Sequence, residues 1–321
     1  MTATAEPGTP STRNSSSSSS SGGASIPDNP SGLDGIEFIE YATARPLALG
    51  HVLEVMGFQP VARHRSREVL LYRQGAMNVV INAHEAGAAG AGAERPGGVR
   101  ISAVALRAHD AAAAYRHALD RGAWAVPTRV EVMELNIPAI HGVGATRIYF
   151  VDRYREFSIY TVDFVPIPHV DQQPPAIADL HWFGLVQRVG PGRLDDWTEF
   201  YRELFAFAPV PAGQRFGILP GGRILRSPCR SFYVQLLEPE PVPDAGESEG
   251  PDERLVRIGL GAPDVAAATR ALAGRGVAFV DADRERPLER GALTRGLASG
   301  VAFELVRDPL APPPPATVTA P

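Results

Sequence analysis

The sequence predicts an α+β protein built from tandem βαβββ modules, with curved, barrel-like mixed sheets in two domains. Three observations predict it. A strand–helix–glycine–strand pattern occurs twice, more than 150 residues apart. A proline-dense, polar stretch divides the chain near its middle. Short alternating apolar runs surround a small number of helical segments, as in sheets covered on one side by helices.

Taken in order, residues 1–32 are rich in Ser, Gly, Pro and Thr and include an unbroken serine run. That composition predicts a disordered tail, because it buries too little apolar surface to offset chain entropy. The first domain is expected over 33–166. It contains the apolar segment 53–58, which reads as the end of an amphipathic helix entering a strand, and strands over 69–72, 77–81, 147–151 and 158–162. Its clearest unit is Val99-Arg100-Ile101, an alanine-rich helix over 111–119, Gly122, and a strand over 123–126. The glycine stands where a helix C-terminus favours a left-handed residue. Residues 167–176 form the expected linker. The second domain, 177–308, repeats the scheme. Segment 201–207 parallels 53–58. Val256-Arg257-Ile258, a helix over 265–272, Gly276 and a strand over 277–280 parallel the first unit, and further strands are expected over 232–237 and 301–306. A proline-rich tail, 309–321, ends the chain.

The 321 residues divide into about two domains at roughly 150 residues each. A formal charge of −5 argues against nucleic acid as the main partner, since phosphate recognition needs a basic face. No apolar run reaches the roughly 20 residues of a membrane span. With a single cysteine, Cys229, the chain forms no internal disulfide, which fits a reducing, cytoplasmic setting. Cys229 itself reads as a packed thiol.

Three stretches carry a family resemblance. One runs from Val61-Ala62-Arg63-His64-Arg65-Ser66 through Leu71-Tyr72-Arg73-Gln74-Gly75 to Asn78 and Asn82. The second runs from Glu134-Leu135-Asn136-Ile137-Pro138 through Gly142-Val143-Gly144 to Tyr149-Phe150-Val151-Asp152-Arg153-Tyr154. The third is Ser158-Ile159-Tyr160 with Val162-Asp163-Phe164-Val165-Pro166. Together they resemble the N-terminal half of bacterial 4-hydroxyphenylpyruvate dioxygenases, members of the vicinal oxygen chelate superfamily (the glyoxalase/bleomycin-resistance/dioxygenase fold). The resemblance covers about 35–170. It is looser beyond, where Trp197, Phe200-Tyr201, Leu204-Phe205 and Phe207 resemble the family's first C-terminal helix and Phe303-Glu304-Leu305 its last strand.

The resemblance implies two vicinal-oxygen-chelate domains, the N-terminal one structural and the C-terminal one holding Fe(II). Iron in this family sits on two histidines and a glutamate, a triad that leaves coordination positions open for a 2-oxo acid and oxygen. The glutamate carries over to Glu304. The first histidine carries over to His181 if about three residues are inserted in the glycine-rich 187–193 segment. Counting back from Trp197 without gaps puts Gly184 there instead. The second histidine position falls on Arg257, which stays protonated and offers a metal no lone pair. Arg100 stands at the same place in the first unit. Gln235, on the repeat partner of the Glu304 strand, can offer a carbonyl oxygen to metal or hydrogen bonds to substrate. The expected pocket therefore holds His181 and Glu304 as metal ligands, with Gln235 and Arg257 toward substrate. The other histidines (His51, His64, His84, His109, His117, His141 and His169) show no ligand spacing.

Three departures accompany Arg257. The family's substrate-binding asparagine falls near Leu237, its glutamine-bearing strand appears as Gly291-Ala292-Leu293-Thr294, and its C-terminal gating helix has no counterpart. The implied function is an Fe(II)-dependent dioxygenase of aromatic amino acid catabolism acting on an aromatic 2-oxo acid, in which metal serves as template and Lewis acid. Two alternatives stand beside it: metal-free binding of a small acid anchored on Arg257, and a metal-dependent lyase or isomerase on the same scaffold. The expected partner is a small acidic molecule, neither nucleic acid nor membrane, with a homo-oligomer left open.

Overall fold

In a computed structural model the described residues are 1–2, 29–83, 98–127, 135–144, 146–155, 157–211, 217, 221–238, 253–281, 288, 290–296 and 302–308. Most of both expected tails lies outside them. Residues 29–32 do not behave as tail: Ser31 is buried and its hydroxyl donates to Leu204 O at 3.0 Å.

The chain forms two mixed sheets. The first comprises β1 (Leu33–Thr43), β2 (Gln59–His64), β3 (Val69–Gln74), β4 (Met77–Asn82), β5 (Val99–Ala108), β6 (Ala139–His141), β7 (Arg147–Val151) and β8 (Phe164–Pro166), in the order β6-β7-β5-β1-β4-β3-β2-β8. The second comprises β9 (His181–Arg188), β10 (Ala208–Pro209), β11 (Arg223–Arg226), β12 (Tyr233–Leu237), β13 (Arg254–Ala262), β14 (Gly291–Leu293) and β15 (Phe303–Arg307), in the order β10-β11-β12-β9-β13-β15-β14. In each, two antiparallel strands form the centre, β1 with β5 and β9 with β13. Each central strand pairs in parallel with the last strand of its own module, β4, β7, β12 or β15. The sheets are curved but open, ending on strands with one neighbour rather than closing into barrels.

One helix crosses each module: α1 (Pro46–Val55), α2 (Ala111–Asp120), α4 (Leu194–Phe205) and α5 (Val265–Ala273). The duplication extends to their caps. Asp110 accepts from Ala113 N at 2.8 Å and Asp264 from Ala267 N at 2.9 Å, satisfying N-terminal N–H groups that lack an intrahelical partner. Both helices are followed by a glycine with positive φ, Gly122 (+87°) and Gly276 (+99°), where a side chain would be strained. The apolar sides of all four helices join one core shared by both sheets, with Phe150 and Phe205 meeting across it at 6.1 Å between ring centres.

Three sequence expectations change. Residues 158–162 form not a strand but part of the one-turn helix α3 (Ile159–Asp163), because Ile159 and Tyr160 turn into an apolar cluster and Ile159 N bonds to Arg153 O. The strands after α2 and α5 shrink to single bridges, Ala125 to Ile140 and Phe279 to Thr294. Arg100 is not the counterpart of Arg257. Pairing sets Arg257 against Val186 and Ala103 against Glu40, and Ala103 lies as far before its helix cap as Arg257 does, whereas Arg100 is exposed near the strand's start. The linker is tied down. Arg73 donates to Gln172 O at 2.8 Å, Gly75 N to Pro174 O at 2.8 Å, and Gln74 accepts from Ile177 N at 3.1 Å.

Candidate functional site

Each sheet has a face turned away from its crossing helices, and the functional question is what fills it. Strand register gives the corresponding positions. In the first sheet Phe38, Ala105 and Tyr149 lie side by side across β1, β5 and β7. In the second, Gly184, Gly259 and Glu304 lie side by side across β9, β13 and β15. Ala105 and Gly259 each stand five residues before the capping aspartate, which anchors the correspondence.

In the first sheet this face is filled. Phe38 and Tyr149 are 6.0 Å apart, and Val80, Val151, Ile159, Tyr160 and Phe164 complete an apolar cluster. In the second, two glycines leave two of the three positions without side chains. A shallow depression of about 30 Å³ remains, lined by Phe183, Gly184, Tyr233, Gln235, Gly259 and Glu304 among others. Phe183 and Tyr233 form an aromatic wall with ring centres 5.0 Å apart.

Glu304 and Gln235 line the depression, and Arg257 stands behind its wall against Glu304. Arg257 and Glu304 are buried, their side chains 7% and 5% exposed, and Arg257 Nε lies 3.1 Å from Glu304 Oε2. The approach is off-axis, so Nε makes no hydrogen bond, and Nη2 meets no acceptor among the described residues. Burial lowers the guanidinium's affinity for its proton and the charge of Glu304 opposes that loss. Arginine keeps its charge under such pressure. Gly217, at φ +69°, passes over the carboxylate so closely that a Cβ there would collide with Glu304 Oε1. Gln235 lines the depression with its amide donating to Gly221 O at 2.8 Å.

His181 is elsewhere. It pairs with Gly261, two residues beyond Gly259, and its ring is held at the sheet's end by Asp308 Oδ2 (2.9 Å from Nε2) and Asp179 O (3.0 Å from Nδ1). Neither nitrogen is turned to Glu304. The physical cause is the β-bulge at Phe183, between the Gly259–Gly184 and Leu260–Trp182 pairs, which sets Gly184 into the row. The gapless count from Trp197 therefore agrees with the register. Sequence reasoning missed Phe183, Tyr233 and Gly259; the one signal in the repeat was Gly184, where the first copy has Phe38.

Residues 27–165 match the family model described as hydroxyphenylpyruvate dioxygenase, N-terminal. The chain is 31% identical over 268 residues to 4-hydroxyphenylpyruvate dioxygenase of Pseudomonas aeruginosa, covering 78% of this chain and 72% of that one. The chain belongs to the 4-hydroxyphenylpyruvate dioxygenase family. It is also 34% identical over 269 residues to hemolysin VllY of Vibrio vulnificus, covering 78% and 73%. Its fold is similar to that of a fusion of a xylose isomerase-like TIM barrel with a 4-hydroxyphenylpyruvate dioxygenase (TM-score 0.68, 24% identity, 88% of this chain and 50% of that one).

Members of this dioxygenase family are Fe(II)-dependent non-haem enzymes. The residues present in this chain do not fit that ion. The family resemblance sets its two histidine positions on Gly184, by the gapless count, and on Arg257. The chain beyond residue 166 contains only two histidines, His169 in the linker and His181 on Asp308. Among the described residues, no group of three or more His, Cys, Asp and Glu side chains could hold a metal. A glycine offers no donor and a guanidinium no lone pair, so Glu304 is the single triad group in place. Among the described residues, no helix is long and apolar enough to cross a membrane.

Proposed function

We propose that this protein serves the aryl 2-oxo acid chemistry of its family, taking such an acid into the depression on the second sheet. The observation that carries the reading is the contrast within the row: aromatic filling in the first sheet, and in the second a glycine floor beside an aromatic wall with a buried charged pair. An aryl ring matches the Phe183–Tyr233 wall, where offset stacking contributes about 1 kcal/mol beyond area burial. The acid group matches a buried guanidinium with an N–H left over. Kinship over 268 residues supports the dioxygenase class.

A second reading, binding without turnover, is favoured by Arg257 standing where an imidazole is required. An oxygen electrode and calorimetry separate the two. The protein, with Fe(II) and ascorbate, is given 4-hydroxyphenylpyruvate or phenylpyruvate, and heats of binding are measured in parallel. Oxygen uptake with loss of carbon dioxide from the acid establishes the dioxygenase. Saturable heat without uptake establishes the binder. Absence of both with every aryl 2-oxo acid sinks the ligand class itself.

A further inference from the structure

The Arg257–Glu304 pair occupies the ground on which the family holds its metal. The row Gly184–Gly259–Glu304 contains one carboxylate and no imidazole, and the cation beside that carboxylate is a guanidinium at 3.1 Å. A metal at Glu304 would have to share it with a fixed positive charge in a poorly solvated site, where like charges repel strongly. At the same time the guanidinium is not satisfied. A planar fork of five N–H groups makes an off-axis contact through Nε, and Nη2 is buried without a partner among the described residues. Leaving a buried donor unmade is costly, and such a group directly behind the wall of a pocket, against Glu304, favours an acceptor that reaches it.

We propose that Arg257 replaces the metal as the anchor of the acid. The ligand's carboxylate reaches past the Glu304 wall to the buried, unpartnered Nη2 of the guanidinium, Glu304 remains its resident counter-ion, and the aryl ring lies against Phe183 and Tyr233. Binding is then independent of metal, and the wild-type protein takes up no stoichiometric Fe(II) at this site. This inference rests on the ligand class proposed above but not on turnover.

The test uses the full chain and reads binding directly. Phenylpyruvate is titrated calorimetrically with EDTA present, and Fe(II) is titrated separately under argon. The expected result is saturable acid binding unaffected by EDTA and no stoichiometric iron uptake. Arg257→Gln should weaken the acid by at least tenfold while Arg257→Lys, which keeps charge but loses the fork, retains part of the affinity. Circular dichroism checks that each variant is folded. If Arg257→Gln does not fold, the wild-type titrations still decide: acid binding abolished by EDTA, or one equivalent of Fe(II) bound tightly, overturns the proposal. Oxygen uptake alongside that iron would leave the dioxygenase reading standing and sink this one. No acid binding with or without metal sinks both. The constructive counterpart is G184H/R257H, which supplies two imidazoles beside Glu304. It should bind Co(II) with visible ligand-field bands that the wild type lacks, although Gly184→His brings a Cβ to 3.0 Å from Tyr233 O and needs a small strand shift. Equal Co(II) spectra for wild type and variant would show that Arg257 and Gly184 do not exclude the metal.

Discussion

The two sheets share a topology and differ in what stands on the face away from their helices. In the first, Phe38 and Tyr149 meet over Ala105, and α3 lays Ile159 and Tyr160 on top. In the second, Gly184 and Gly259 leave a floor of bare backbone next to Glu304, and the residual apolar cluster is only Phe183, Tyr233 and Val306 with Val210 and Ile224 against it. The polar groups differ in the same sense. Glu37 in the first sheet has Arg107 at 2.6 Å and Asn78 at 3.2 Å, and Glu40 has Ser102 at 2.7 Å and Arg147 at 2.8 Å. Arg257 in the second meets Glu304 off-axis, with Nη2 unpartnered among the described residues. A duplicated scaffold can thus keep one copy as packed structure and the other as a site by exchanging side chains in a single row. Buried groups without a partner among the described residues occur in both copies, the Tyr41 and Tyr160 hydroxyls in the first and Arg257 Nη2 in the second, but only the second copy's is a charged group.

The largest effect that could break this comparison is on the buried pair. Glu304→Gln leaves Arg257 as a buried charge without its counter-ion, and losing one member of such a pair costs about 3–5 kcal/mol. Glu37→Gln in the first sheet should cost less, because Arg107 is 24% exposed and keeps water. Urea unfolding of both variants checks this. Equal losses would mean that Arg257 is solvated and the depression is no special environment.

Phe38→Ala should come next. The ring is buried in a cluster that cannot collapse onto a missing neighbour, so a loss of about 3 kcal/mol is expected. The mirror change, Gly259→Ala, meets Gly184 N at 3.4 Å, close to ordinary contact. It should leave stability nearly unchanged while reducing affinity for aryl acids. A Gly259→Ala protein that binds as well as the wild type would move the ligand off this row.

The faces also differ in alkaline behaviour. Tyr160, in the filled face, has its phenol pushed well above the usual tyrosine range by burial and then by the Glu37 carboxylate. Tyr233, at the open face, is raised by burial, with Arg226 opposing. An unfolded tyrosine ionises near pH 10. Above that pH the unfolded chain releases a proton that folded Tyr160 retains, so stability falls as pH rises from about 10 toward the folded value. Tyr160→Phe should flatten this limb more than Tyr233→Phe, measured by denaturant midpoints from pH 9 upward. The reverse order would place the solvent-excluded phenol in the wrong sheet.

How much of this was legible in the sequence depends on which interaction set the outcome. The tandem modules, both alanine-rich helices and their glycine stops were legible because they rest on local chemistry: apolar period, capping aspartates, positive φ. Glu304 was legible as a lone acid in an apolar strand, and the structure buries it against Arg257. His181 was misplaced because a single β-bulge at Phe183 shifts the register of β9, and a bulge is a tertiary choice that neighbouring strands make together. The same limit explains Arg100. Its motif repeats Val-Arg-Ile, but pairing against β1 puts it near the exposed start of the strand, three residues before the true counterpart of Arg257. Residues 158–162 alternate like a strand and become a turn of helix because the filled face offers a place for two adjacent apolar side chains, Ile159 and Tyr160.

The smallest prediction tests the duplication on which the row comparison stands. Asp110 and Asp264 occupy equivalent caps, each five residues past the row, and each side chain accepts one N–H from the third residue on, Ala113 and Ala267, at nearly equal distance. Removing such a cap costs about 1 kcal/mol, since the N–H returns to water or to nothing. Asp110→Ala and Asp264→Ala should therefore lower the unfolding free energy by similar amounts. The double variant should lose the sum, because the two caps belong to different sheets and share no partner. Asp110→Ala has one added consequence. Ala111 N also bonds to Asp152 at 3.2 Å, a contact that holds the helix start when the cap is gone. If Asp264→Ala is the costlier by more than this one hydrogen bond explains, the α5 cap carries load that α2 does not. The five-residue spacing would then be a weaker anchor for setting Gly259 against Ala105 than strand pairing alone.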